Sequence, residues 1–195
     1  MEKHNDIPAI RAKTRREWRQ WLMKNHSSEK SVWLIIYHKS SSIPSVYYEE
    51  AVEEALCFGW IDSIAHKRDE ESKYQFFAVR KTKSNWSKAN RERAERMIAE
   101  KKMMPAGQAM IDLAKKTGAW TALVDVQNSV IPADLQKLFN RNKTALKNFN
   151  AFPPSSKRII LEWILTAKKP ETRQQRIEET VKLAQKNIKA NHYRQ

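Results

Sequence analysis

Residues 32–37, Val-Trp-Leu-Ile-Ile-Tyr, are apolar without interruption, and Ser and Lys bound the run on both sides. Its length and its β-branched and aromatic content predict a central strand. Upstream the spacing is helical. Over residues 11–24, Thr14, Trp18, Trp21 and Leu22 share one face, with Arg15, Arg16 and Arg19 around the rest. Residues 48–58 predict a second helix, with Ala51, Val52, Ala55 and Leu56 inward. Its N-terminal half carries Glu49, Glu50, Glu53 and Glu54, where the helix dipole favours acids, and Gly59 is a cap. Residues 60–65 and 73–79 then read as two strands joined by the polar turn 69–72, a hairpin.

Ser87 or Asn85 can cap a helix over residues 88–101, with Ala94, Met97 and Ile98 inward. Pro105 opens the next helix, which turns Ala106, Met110, Leu113 and Ala114 to the core and ends at Gly118. Periodicity lapses over residues 119–131. Beyond it the pattern is all helical: 132–140, 143–149, 155–168 and 171–192. Ile159, Ile160, Trp163, Ile164 and Ala167 form the inward stripe of the third of these. Ile177, Val181, Ala184 and Ile188 form that of the fourth. The fold class is therefore α+β. An N-terminal region over residues 1–125 holds a small, mainly antiparallel sheet, and a helical bundle follows over residues 130–195.

Charge sharpens this division. The net charge is +15, with +6 over residues 1–125 and +9 over residues 126–195. A basic surface favours polyanions such as nucleic acid or anionic lipid. Lys157, Arg158, Lys168, Lys169, Arg173, Arg176, Lys182, Lys186 and Lys189 form a candidate polyanion surface beside the apolar stripes of the last two helices. No helix-turn-helix signature accompanies it, so sequence-specific DNA reading is not expected.

Other chemistry is bounded by what the chain lacks. Its three glycines form neither a dinucleotide fingerprint nor a P-loop, and no cofactor is implied. Cys57 is the only cysteine, which excludes an internal disulfide and a cysteine metal cluster. The histidines His4, His26, His38, His66 and His192 are scattered, so no metal site is expected. No apolar run reaches membrane-spanning length, and the first residues do not resemble a signal peptide. A cytoplasmic protein is expected.

Three segments carry a family likeness: Phe58-Gly59-Trp60-Ile61-Asp62-Ser63, then Arg80-Lys81…Lys83-Ser84-Asn85-Trp86-Ser87, then Met104-Pro105-Ala106-Gly107. Phe152-Pro153-Pro154-Ser155, Glu162-Trp163-Ile164 and Glu171-Thr172-Arg173 continue it. In these residues the chain resembles the YdeI/OmpD-associated family, whose members are labelled bacteriocin-protection proteins. The resemblance implies a two-part protein linked to envelope or bacteriocin stress, and it brings no catalytic residues with it.

The same segments supply the candidate site. Trp60 and Asp62 point to one face of the predicted hairpin, and Arg80 lies beside it. Trp60, Asp62, Arg80, Lys81, Lys83, Asn85 and Trp86 could form one pocket, with cations holding a carboxylate or phosphate between indole faces. The competing reading is structural: Asp62 pairs with Arg80 across the strands while Trp60 and Trp86 fill the core. Three functions stay open. The first is a non-enzymatic, stress-related binder of an anionic ligand or polyanion. The second is an enzyme on a small anionic substrate with Asp62 as base. The third is an interaction protein with no ligand pocket. Cys57 with His66 and Asp62 would also suit a nucleophilic mechanism, but the thiol sits in an apolar helical segment.

Overall fold

The computed structural model describes residues 2–192. The chain forms two compact units, Met1–Thr121 and Ala122–Gln195. The first is built on a five-stranded mixed sheet. The apolar run becomes β3 (Ser31–Tyr37), and Val32 to Ile36 are all buried. β3 pairs in parallel with β2 (Ile7–Arg11) and antiparallel with β5 (Ser72–Val79). β4 (Trp60–Lys67) pairs with β5, and the two-residue β1 (Lys3–His4) pairs with β2, both antiparallel. The order is β1-β2-β3-β5-β4, so the sheet is mainly antiparallel, as its sequence predicts. β1 and β2 carry no clear signal. Pro8 and the charged flanks hide a strand whose partner on one side is only two residues long.

A β-strand sends alternate side chains to opposite faces. Val32, Leu34, Ile36 and Phe77 meet helices on one face, while Trp33 and Ile35 join Ala9 on the other. β4 carries a bulge: Asp62 opposes Phe77, but three residues later Ala65 opposes Gln75. The Gln75 amide fills it, donating to the carbonyls of Ser63 at 3.4 Å and Ile64 at 3.2 Å.

Helices α1 (Arg15–Asn25), α2 (Tyr48–Cys57), α3 (Lys88–Ala99) and α4 (Pro105–Thr117) contribute to the first face's core. Thr14 caps α1, its hydroxyl accepting from Glu17 N at 3.2 Å, rather than joining the inward face. Gly59 takes φ +75° after α2, and Gly118 takes φ +79° at the end of α4. α4 fully buries Gly107, Ile111 and Ala114; of the predicted stripe Ala114 is thus in the core and Met110 packs against it half-buried, while Ala106 and Leu113 are only half-buried. The reason is steric. A Cβ at residue 107 would lie 2.3 Å from the carbonyl oxygen of Cys57, so only glycine lets α4 approach the end of α2. Ile98, predicted inward on α3, is 39 % exposed.

The second unit holds α5 (Val124–Gln127), α6 (Ala133–Arg141), α7 (Lys143–Ala151), α8 (Pro154–Leu165) and α9 (Pro170–Gln185). Leu135, Phe139, Phe149, Ile160, Leu161, Ile164, Ile177 and Ala184 are its core. The phenyl rings of Phe139 and Phe149 meet at 5.0 Å. On α8 the buried stripe is Ile160, Leu161 and Ile164, and Ile159 turns outward. α9 ends well before His192: Asn187 adopts φ +58°, which breaks the helical path. Thr180, not Val181, lies in the buried stripe, its hydroxyl donating to Arg176 O at 2.7 Å. Among the described residues no helix is long and apolar enough to cross a membrane.

Trp120 belongs to the first core and Leu123 to the second, so the chain passes from one unit to the other within a few residues. No Lys or Arg lies between Lys116 and Lys137. A protease of broad specificity, rather than trypsin, should therefore cut first within residues 119–131 and release two folded fragments. First cleavage inside α3 or α4, read by mass spectrometry, would show that the first unit is not a stable whole.

Candidate functional site

Residues 80–87 connect β5 to α3 and hold most of the candidate side chains. Arg80 N donates to Gly59 O at 2.9 Å, which ties the start of this loop to the end of α2. The Arg80 guanidinium lies 3.9 Å above the Trp86 ring and is 4 % exposed. Its Nη2 donates to Asn85 O at 2.5 Å. Its Nε and Nη1 are buried with no hydrogen-bond partner among the described residues. Burial pushes the guanidinium down to about 10, against the opposing attraction of Asp62.

The seven predicted residues do not line one cavity. Trp60 is 1 % exposed, its indole N–H donates to His26 O at 3.2 Å, and its ring stands edge-on to Trp21. Trp86 is buried against Trp120 at 4.9 Å, and Arg80 covers a face of its ring. Both indoles are core, as the structural alternative requires. That alternative fails on its other half, since no ion pair joins Asp62 to Arg80. Asp62 instead accepts from the Tyr48 hydroxyl at 2.6 Å, and burial first, then this bond, raises the phenol's pKa. Lys81 and Lys83 are exposed. Lys83 and Asn85 line a depression of about 350 Å³ with Thr82, Leu113, Thr117 and Ala119.

A buried ionic cluster escaped the sequence pattern. Glu54 is 2 % exposed and takes Arg15 at 2.6 Å and Arg19 at 2.5 Å. Glu53 takes Arg15 at 2.8 Å and also pairs with Arg96. These acids face partners on α1 and α3 rather than serving the helix dipole. The readable signal was Arg15 and Arg19 at i and i+4 on a helix with an otherwise aromatic face.

Cys57 lies on the helix-covered side of the sheet, whereas His66, opposite Tyr74 in β4, faces the other side. The nucleophilic combination is therefore not assembled. Burial pushes the thiol up to about 11. Among the described residues no three His, Cys, Asp or Glu side chains gather as a metal site.

In the second unit the predicted cations divide. Arg173 grips Asp134 at 2.7 and 3.0 Å and donates to Ile164 O at 3.2 Å. That grip lowers the Asp134 carboxyl below its usual range. Arg176 lies over the Trp163 ring at 5.0 Å and donates to Trp163 O. These two arginines fasten α9 to the end of α8. Lys157 donates to Asn150 O at 3.2 Å, and Lys189 is half-buried beyond the end of α9. Arg158, Lys168, Lys169, Lys182 and Lys186 are exposed.

Comparison with protein families places both units. Residues 10–110, just over half of the chain, match the family described as a domain of unknown function, DUF8412. The chain belongs to the DUF8412 family. Residues 128–187 match the family described as bacteriocin-protection, YdeI or OmpD-associated, the family suspected from the motifs. No curated protein and no solved structure matches the chain. Gly59, Arg80 and Gly107, which carry part of the YdeI/OmpD-associated likeness, fall within the DUF8412 span, and the second match covers α6 to α9.

The buried Cys57 gives a direct check. Ellman's reagent should leave the native protein unmodified at neutral pH and react with one thiol per chain in denaturant. Above the ordinary thiol value of 9.0 the unfolded chain ionises and the folded one resists, so stability should fall between pH 9 and 11. Rapid native labelling at pH 7 would mean an accessible thiolate.

Proposed function

We propose that this DUF8412 protein is a non-enzymatic binder of anions, with Arg80 as the anchor of a small-ligand site in the first unit. One observation carries the reading: a guanidinium 4 % exposed retains two nitrogens without partners among the described residues. A buried cation with unmet donors is costly, and an anion is the partner that relieves it. Asn85, whose carbonyl accepts from Arg80, also lines the neighbouring depression with Lys83 and Thr82, so a carboxylate or phosphate that reaches Arg80 from that side passes a second cation and a hydroxyl. Asp62, half-buried and held by Tyr48, acts in this reading as a fixed countercharge rather than a base. The words bacteriocin protection belong to the family of the second unit, and the stress role that they suggest would be exercised through binding.

Phosphate and citrate, compared with chloride at equal ionic strength, should raise the melting temperature of the wild type. Arg80→Met should abolish the response while the chain still folds, and Lys83→Ala should weaken binding in calorimetry. Loss of a hydrogen bond to a charged group is worth about 1.5–3 kcal/mol, or roughly 10- to 150-fold in affinity. An anion response equal in wild type and Arg80→Met would defeat the proposal.

The exposed lysines of the second unit support a polyanion surface as a separate reading. Charge reversal of Lys168, Lys169, Lys182 and Lys186 to Glu leaves its buried core untouched. It should weaken DNA and heparin retention, and the log–log salt dependence should flatten by about 0.9 for every phosphate no longer neutralised. Retention that the four changes do not alter would remove this surface from consideration.

A further inference from the structure

The hydrophobic cluster on the second face of the sheet consists, among the described residues, of strand residues: Ala9, Trp33 and Ile35 are buried, with Ile7, Tyr37, Tyr74 and Phe76 around them. The segment Glu2–Asp6 folds onto it. Asn5 and Asp6 take φ +49° and +61°, a two-residue reverse turn that returns β1 along β2. β1 and β4 are opposite edges of the sheet, yet their side chains meet. His4 Nε2 lies 2.7 Å from His66 Nδ1. The His4 ring is stacked on Tyr74 at 4.3 Å and 15°, and stands edge-on to Trp33 at 4.7 Å. The Glu2 carboxylate receives Arg68 Nε at 2.9 Å, Arg68 Nη2 at 3.1 Å and the Tyr74 hydroxyl. Trp33 is 2 % exposed, and its buried indole N–H has no partner among the described residues.

These contacts have the form of a bound ligand. A nitrogen heterocycle lies flat on a phenol with its ring nitrogen hydrogen-bonded, and an anion two residues away sits in a guanidinium fork. The carboxylate in that fork stands in for two phosphate oxygens. The imidazole stands in for a nucleobase, which stacks on aromatic rings by its π-face and is held by hydrogen bonds at its edge. The geometry points to a nucleotide site on this face. The base replaces His4 on Tyr74 and bonds to His66, and the phosphate replaces Glu2 on Arg68. The N-terminal segment is the site's tethered competitor. The Trp33 N–H, without a partner among the described residues, is offered to a polar edge of the base once His4 lifts. Because the competitor is tethered, its effective concentration is high, and the intact protein binds nucleotide weakly.

This site is separate from the Arg80 depression, and its test uses the full chain. Adenosine monophosphate and decaadenylate are titrated by fluorescence anisotropy and calorimetry at about physiological salt. Against the wild type, the pair Glu2→Ala with His4→Ala should bind at least about tenfold more tightly. Because Tyr74 also holds His4 and Glu2, Tyr74→Leu, which keeps the face apolar, is added to that double variant and should weaken its binding about 5- to 150-fold, the range set by one missing base–aromatic stack. Equal affinity for the monophosphate and the oligomer assigns the site to free nucleotides; a tighter oligomer assigns it to single strands. Binding by the double variant no tighter than wild type overturns the proposal. So does an affinity left unchanged when Tyr74→Leu is added to the double variant, or full displacement by tripolyphosphate, which has no base. If the double variant does not fold, Glu2→Gln with His4→Gln, which keeps side-chain bulk but weakens both mimics, decides by the same gain.

Discussion

The close approach of α4 to the end of α2 sets the geometry of the first unit. Gly107 has no side chain, so its backbone can sit against the Cys57 carbonyl, where a Cβ would be 2.3 Å away. Met104 N donates to that same carbonyl at 3.2 Å. Gly59 then turns the chain with φ +75°, and a Cβ there would meet Ala106 O at 3.1 Å. This turn launches β4 from Trp60, and the Gly59 carbonyl receives Arg80 N. Two glycines thus fix where the sheet begins and where the Arg80 loop leaves it. The motifs around Phe58-Gly59-Trp60 and Met104-Pro105-Ala106-Gly107 are recognisable together because they are two halves of one contact.

Charge is handled in two opposite ways within this unit. Glu53 and Glu54 are nearly closed to water, but each has two arginine partners, and such pairs hold specific helices together more than they add net stability. Arg80 is nearly as buried as Glu54, and among the described residues its guanidinium makes one hydrogen bond, to a backbone carbonyl, with the Trp86 ring against its face. The first arrangement is complete by itself. The second is not, and that asymmetry separates a structural cluster from a candidate site although both consist of buried ions.

The main elements were legible because each has a strong local signal: the apolar run of β3, the Gly and Pro punctuation of α2 and α4, and Ser87 at the start of α3. Helix rotation was less legible. Gly107 turns α4 by a contact distant in sequence, and no periodicity records that contact. The tryptophans misled for a related reason. Trp60 and Trp86 sit where strand meets loop, a usual place for ligand contacts, but His26 and Arg80 fold over them. Arg80, Lys83 and Asn85 could be named from sequence, whereas the isolation of two Arg80 nitrogens depends on packing. His4 and His66 looked unrelated at 62 residues apart until the sheet brought them together.

The bulge in β4 has a consequence for inheritance. Strand parity assigns Trp60 and Asp62 to the helix-covered face, and without interruption His66 would follow them. The extra residue near Ser63 and Ile64 shifts the count by one, so His66 stands opposite Tyr74 and faces the N-terminal segment. One strand therefore supplies both faces of the sheet, and its register works like a reading frame. Loss of the single extra residue at the bulge would straighten the strand and leave Ala65, His66 and Lys67 opposite their present partners, whereas an unbulged strand of the present length would aim each of them at the wrong side. Both point substitutions at the bulge and loss of its one extra residue leave the later side chains on their present faces.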